Sequence, residues 1–443
     1  MTQGLDFTRL RAWIVAADMG LGHKRAVNPL SGIAEDGIII ANSPDFAEPD
    51  ELKLWEQMKS VYERLSRIKS LPVIGEFLFG IMDYFQSIKP PYPRVDLSFP
   101  TVQTRFVDRM IRKGLCATTL KVMSAKRIPL VTSFFHTAIA ADKAKWGRVY
   151  CIICDADINR VWVPGNPADS RIEYFIPCGS VLKRLKQYGV PDERIYMTGF
   201  PLPLELLGGP DLDVLKADLG RRLAVLDPGG RFLPLHGLNV EHFLGRENAN
   251  RVPDRPPTIT FAVGGAGAQM DIGLAALRSL AGRIRAGECR LNLACGVRKE
   301  VADAFAAAIS GLGLDAPGAR VVWGRTDAEY FKAFDASLHD TDILWTKPSE
   351  LSFYVGLGIP MIAAPCIGSQ ERFNRRWLES VQACYDQDAP EYAHEWIFEY
   401  LNDGRYAEAA WSGFLKARKY GTYKIMEILA TGTMGREGSP LKR

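Results

Sequence analysis

The chain has 443 residues, with 47% hydrophobic and 24% charged residues and a formal charge of only +4. That length is too great for one ordinary core, so two domains of about 200 residues are expected, in a globular rather than a fibrous or disordered protein. The weak net charge and the absence of any Lys/Arg-dense run exclude nucleic-acid binding as the main activity. No run of about 18 apolar residues offers a membrane span, and the opening MTQGLDFTRLR lacks the apolar heart of a signal peptide.

In chain order, residues 10–17 (LRAWIVAA) read as a buried strand ending in Asp18-Met-Gly20-Leu-Gly22-His23-Lys24-Arg25. Strand, glycine turn and helix make the opening unit of a nucleotide-type fold, with His23 at the mouth of the turn. GxGxxG is not present, so this is not a dinucleotide fingerprint, and taken alone His23 reads as a helix-start or turn residue rather than a catalyst. Residues 37–42 are a second strand. Residues 51–88 read as two helical pieces broken at Pro72, rich in aromatics and carrying Lys59, Arg64, Arg67 and Lys69. The stretch reads as core or subunit contact, with an interfacial membrane helix as the alternative.

A basic helix over 107–115 precedes strands at 128–135 and 149–154. The second runs into Asp155-Ala-Asp157-Ile-Asn159-Arg160, polar groups at a strand's carboxyl end, where this type of sheet makes ligand contacts. A structural Asp–Arg pair is the other reading. Cys151-Ile-Ile-Cys154 has redox or zinc spacing, but no second pair lies nearby at ligand spacing. The eight cysteines are therefore read as reduced and mostly buried thiols, with no metal site. Short strands at 173–176 and 195–198 flank a helix over 180–188.

Residues 206–257 change character, with a helix of alternating charge followed by loops rich in Gly, Pro, Asn and Arg, and read as a linker and excursion. A second domain opens at 258–263 (TITFAV), followed by Gly264-Gly265-Ala266-Gly267 and a helix. Strands follow at 291–294 and 320–323, each with a helical pattern after it, so the sheet should be parallel. Residues 342–347 form another strand, and Pro348–Ser349 opens a helix over 350–357 that Ser349 can cap and Gly358 ends. Strand 361–364 then leads through a loop into a polar helix whose first turns carry Gln370, Glu371 and Asn374. Two helix starts thus lie beyond neighbouring strand ends, where free N–H groups favour a phosphate, and an amide beside a carboxylate suits sugar hydroxyls. Residues 395–429 are helical and 431–443 read as a flexible tail.

The expected fold is α/β: two Rossmann-like domains with parallel sheets facing across a cleft. The domains are 1–205, an excursion 206–257, a second domain 258–400, and helices 401–430 packing back toward the first.

The order GLGH, GVPDERIYMTGFPL, VGGAGAQ, DILWTKPSELSFYVGLGIP, GSQERFN resembles GT-B glycosyltransferases. The nearest likeness is the group of monogalactosyldiacylglycerol synthase and the peptidoglycan N-acetylglucosaminyltransferase. The resemblance spans 10–25, 128–203 and 258–400. It implies an inverting transfer of a sugar from a nucleotide-sugar, UDP-linked in those relatives, to an acceptor hydroxyl, with no cofactor and no tightly held metal. On that basis His23 matches a general base, Asp155 an acidic residue of the acceptor cleft, and Gly20 and Gly22 the acceptor-side turn. Gly264, Gly265 and Gly267 match the loop near the donor diphosphate, Lys347, Ser349 and Glu350 the phosphate-binding helix start, and Gln370, Glu371 and Asn374 the donor-sugar segment. The named relatives use lipids, which implies a lipid acceptor and a cytoplasmic protein peripheral to the inner membrane face through 51–88.

One departure stands out. The family carries KPGG or RSGA where this chain has Lys347-Pro348-Ser349-Glu350. A carboxylate there repels a diphosphate unless it turns to the ribose hydroxyls, a role Glu350 would then take over. The family's ribose-binding Glu aligns with Phe353. A 2-epimerase of the same fold and a non-catalytic nucleotide-sugar binder are therefore the alternatives.

Overall fold

The computed structural model describes residues 7–67, 88–90, 92–264, 267, 269–438 and 443, with side chains in the first segment up to Met58. Gly265 and most of the second half of the aromatic stretch 51–88 lie outside the described residues. Two six-stranded parallel sheets organise the chain. The first holds β1 (Ala12–Ala16), β2 (Ala34–Ile40), β3 (Leu130–Thr132), β4 (Val149–Ile152), β5 (Ile172–Phe175) and β6 (Ile195–Tyr196), in the order β2-β1-β3-β4-β5-β6. The second holds β7 (Thr258–Ala262), β8 (Arg290–Ala294), β9 (Ala319–Val322), β10 (Ile343–Thr346), β11 (Met361–Ala363) and β12 (Cys384–Asp386), in the order β12-β11-β10-β7-β8-β9.

Strands β1, β3, β4, β7, β10 and β11 are buried along their whole length. Helices cover both faces of such a sheet, which is why these segments read as unbroken apolar runs rather than as alternation. Each sheet has one switch point where strand order reverses: between β1 and β3 in the first, and between β7 and β10 in the second. Loops diverge there and leave a crevice at the carboxyl ends of the strands.

The excursion differs from its sequence reading. Its helix of alternating charge forms, as Asp213–Leu226, but the stretch read as loops after it folds into the helices Leu233–Leu244 and Arg246–Ala249. It is anchored to the second lobe by Arg222, which is fully buried and donates to the carbonyls of Thr341 (2.8 Å), Leu357 (3.1 Å) and Leu338 (3.2 Å). Leu219 closes on Gly358, whose φ of +68° and lack of side-chain space require glycine. The last helix, Gly421–Thr431, returns to the first lobe, where Thr422 Oγ1 donates to Leu202 O (2.5 Å), and Tyr423 OH donates to Gly208 O (2.5 Å) at the start of the excursion. Two Rossmann-like lobes with a C-terminal helix crossing back are the GT-B architecture. Among the described residues of the tail, Arg443 O accepts from the N–H groups of Lys419 and Tyr420.

Candidate functional site

The two switch points face one cleft, and most of the residues singled out in the sequence line it. On the first lobe, β1 ends in a turn where Gly20 sits at φ +111°, a conformation that favours glycine, and the helix Leu21–Val27 begins. His23 lies on its first turn and reaches across to the loop after β3. Its Nδ1 is 2.8 Å from Ser133 O, and Ser133 Oγ donates back to His23 O at 2.7 Å. A carbonyl only accepts, so Nδ1 carries the hydrogen and the neutral ring presents Nε2 as a bare acceptor. Burial lowers the His23 pKa, with partial opposition from the Ser133 carbonyl and the Glu350 charge. The ring packs edge-on against Phe134 (4.8 Å) and beside Trp162 (6.0 Å), with Cys154 Sγ 3.8 Å from Nδ1.

Asp155 follows β4 and points into the same cleft. Asn374 Nδ2 donates to its Oδ1 at 2.9 Å, while Asn374 Oδ1 accepts the Ala156 N–H at 2.7 Å. Asn374 is fully buried and comes from the opposite lobe, so one amide joins the two strand ends. Burial raises the Asp155 pKa to about 6, against the Asn374 hydrogen bond. Its sequence neighbours have other work. Asp157 makes a two-pronged pair with Arg184 (2.8 and 2.7 Å), and Arg160 donates to backbone carbonyls including Leu97, Ser98 and Val163. Asn159 caps the short turn over Arg160–Trp162. Of that polar run, Asp155 alone is placed in the cleft, and the structural reading holds for the others.

On the second lobe, the Lys347 side chain crosses Gly264, where a Cβ would lie 2.5 Å from its Cε, and its Nζ meets Glu371 Oε1 at 2.5 Å. Glu371 Oε2 accepts the N–H groups of Ile367 (2.5 Å) and Gly368 (3.2 Å), closing the start of the helix Ser369–Ser380. Gln370 lies beside it, within 3.3 Å of Ser369 Oγ. Gly267 (φ +68°) backs against Arg298, and Gln269 ties that loop to Pro365 O at 2.7 Å. Ser349 precedes a 3₁₀ helix, Glu350–Leu357, but its side chain makes no cap, contrary to the sequence expectation. Phe353 is buried and stacked 5.3 Å from Phe200.

Glu350 turns toward the first lobe. Its Oε1 accepts from Arg25 Nε at 3.2 Å, and its Oε2 lies 3.0 Å from where a Cβ of Gly22 would stand. Lys24 bridges Asp18 (2.7 Å) and Asp327 (2.6 Å) of the second lobe. Sequence reasoning gave Lys24, Arg25 and Asp327 no role; the basic pair after GLGH was the one available signal. Among the described residues no group of His, Cys, Asp and Glu is arranged to hold a metal ion. No described helix is long and apolar enough to cross a membrane, and Trp55 of the helix Pro49–Arg67 is buried against Phe134 (6.1 Å) and His136 (5.5 Å).

No protein-family profile and no curated protein matches the chain. Among solved structures it is similar to Acinetobacter baumannii MurG (12% identity, TM-score 0.45, covering 95% of this chain and 99% of that one). It is also similar to the Neisseria meningitidis UDP-GlcNAc 2-epimerase bound to UDP-GlcNAc (11%, TM-score 0.44, 95% and 98%). A third is the glycosyltransferase SnogD from Streptomyces nogalater (11%, TM-score 0.40, 95% and 98%).

Proposed function

We propose that this chain is an inverting glycosyltransferase that moves a sugar from a UDP-linked donor in the second lobe to an acceptor hydroxyl held by the first. The observation that supports the reading is that His23, its tautomer set by Ser133, lies on the lobe whose Asp155 is bound by Asn374 of the helix that carries Glu371. A base on the acceptor side is what such a transfer needs, since the hydroxyl loses its proton as its oxygen attacks the anomeric carbon. In this reading His23 Nε2 takes that proton and the bond from the anomeric carbon to the diphosphate breaks. Negative charge on the leaving group is met by Lys347 and by N–H groups at Ser349–Glu350 and at Gly264 and Gly267. Gln370 and Glu371 hold sugar hydroxyls, and Asp155 with Asn374 shapes the acceptor side below Gly20 and Gly22. No cofactor or metal takes part.

The acceptor is proposed to be lipid-borne, because Tyr92, Phe99 and Val102 stand exposed on the first lobe with Arg94 and Arg105 beside them. Flotation with anionic vesicles is the expected result, and a protein left wholly in the aqueous fraction removes that part of the reading. The reaction is tested by incubating the chain with UDP-sugars, after a thermal-shift screen of nucleoside diphosphates identifies the base. A ligand at 100 times its Kd stabilises by roughly 2.7 kcal/mol. UDP released only with acceptor present supports transfer. A 2-epimer formed from donor alone replaces transfer with epimerisation, and binding without any turnover makes the chain a nucleotide-sugar binder.

A further inference from the structure

Arg25 leaves the helix Leu21–Val27 of the first lobe and ends inside the second. Its guanidinium carbon lies 4.7 Å from the ring centre of Phe334, 4.8 Å from Phe331, 5.6 Å from Tyr330 and 6.0 Å from Tyr354. The side chain is 3% exposed, and its Nη1 has no hydrogen-bond partner. Nε is satisfied by Glu350. The other carboxylate facing this box, Asp335, is raised to about 7 by burial, so it is only partly ionised at neutral pH. Lys24–Asp327 and the contact of Leu21 with Gly296 extend the same junction. A guanidinium placed among aromatic faces is held strongly once desolvated, so Arg25 is the fixed partner and Glu350, on the rim of the cleft, is the one that is drawn.

We propose that Arg25 is a positioning residue for the donor site: by pairing with Glu350 it turns that carboxylate toward the first lobe and cancels its charge, leaving the start of Glu350–Leu357 open to an anionic diphosphate. The identity of the anion rests on the nucleotide-sugar reading above. The pair accounts for a carboxylate standing where the resembling enzymes carry glycine, and it sets Glu350 Oε2 against Gly22, where a Cβ would lie 3.0 Å away in tight contact.

The test is calorimetric titration of UDP into the full chain, its Glu350→Gln and Arg25→Gln variants, and the double variant. Arg25→Gln is expected to weaken binding about five- to tenfold, the effect of an unmasked unit charge some 7 Å from a phosphate at an intermediate dielectric. Glu350→Gln tightens it, and the double variant returns to within about twofold of wild type. A loss of affinity in Glu350→Gln overturns the inference, since the carboxylate then binds the ligand itself; equal affinity across the four proteins overturns it as well. If Arg25→Gln does not fold, Glu350→Gln decides alone: tighter binding supports the inference, unchanged or weaker binding refutes it. A wild type that binds no nucleoside diphosphate removes the donor reading and the ligand half of the inference with it. The pairing half is still decided by melting temperatures. A double variant no less stable than the weaker single supports coupling, and additive losses refute it.

Discussion

Asn374→Ala should destabilise the chain in a pH-dependent way. Removing the amide leaves two groups at the β4 end without their partner: the Ala156 N–H, held at 2.7 Å, and Asp155 Oδ1, held at 2.9 Å. A stranded buried polar group costs about 1–3 kcal/mol, so at pH 8, with Asp155 ionised, the loss should be about 2–4 kcal/mol. Folding raises the Asp155 pKa to about 6 because burial disfavours the charge. Its contribution to stability is therefore complete below the ordinary carboxyl value and is lost as pH rises through about 6. Asn374 is the partner that holds this pKa down, so the variant's Asp155 pKa moves higher still. At pH 5 the carboxyl is protonated in both proteins, and only the Ala156 term of about 1–2 kcal/mol remains. Calorimetric melting at pH 5 and pH 8 measures the difference, at roughly 2–4 °C per kcal/mol for a lobe of this size. A loss that is the same at both pH values, or below about 0.5 kcal/mol at pH 8, refutes the assignment of Asn374 as the joint between Asp155 and the second lobe.

His23→Gln should remove turnover by about 10²–10⁴-fold while leaving the melting temperature nearly unchanged. With the His23 pKa lowered by burial, the acid limb of the wild-type kcat/KM profile should lie below the free imidazole value; a limb above it excludes His23 as the base. Asp157→Ala should behave in the opposite manner. It strands Arg184, which is 2% exposed, and costs about 3–5 kcal/mol by chemical denaturation. Nucleotide affinity should hold under conditions where that variant is folded, and a selective loss of binding would return Asp157 to the cleft. Gly264→Ala drives a Cβ to 2.5 Å from Lys347 Cε and should displace the lysine, read as weakened nucleotide binding at little cost in stability.

The strands were legible because both faces of these sheets are covered, so burial wrote itself as apolar runs ended by glycine turns. Where that signal was diluted, the reading failed. Strand β12 has three half-exposed or exposed residues at a sheet edge and leaves no such run. The helix Leu233–Leu244 carries Pro234, Gly237 and Asn239 and exposes Leu235 and Leu238, so neither propensity nor apolar periodicity marks it. Phe135–Lys143 is buried along its first seven residues, and its start was absorbed into the strand before it because a helix buried on all sides reads like a strand. Site residues divide in the same manner. Gly20, His23 and Lys347 follow strands at the two switch points, which topology alone locates. Asp155 and Asp157 are two residues apart and chemically identical; the distant Asn374 and Arg184 decide which one faces the cleft. Arg25 reads as one charge in a basic run, because its aromatic box is built from residues three hundred positions later.

The partners of the three carboxylates also say which cation is free to meet a ligand. Asp155 is held by Asn374, Glu350 by Arg25 and Glu371 by Lys347. Arg25 cannot leave without stranding Glu350 and emptying a buried box. Lys347 can, because Glu371 keeps two backbone donors, Ile367 and Gly368, after the lysine departs. A diphosphate entering over Gly264 would therefore recruit Lys347 with little loss of internal structure and would release Glu371 Oε1 for a sugar hydroxyl. Lys347→Met keeps the aliphatic stem against Gly264 and removes only the charge. It should shift the melting temperature by no more than the loss of a partly exposed ion pair, about 0–1 kcal/mol, while weakening nucleotide binding by at least about tenfold, as for a charge-assisted contact. A variant that melts several degrees lower yet binds nucleotide as before would assign Lys347 to the fold and leave the phosphates to the loop N–H groups.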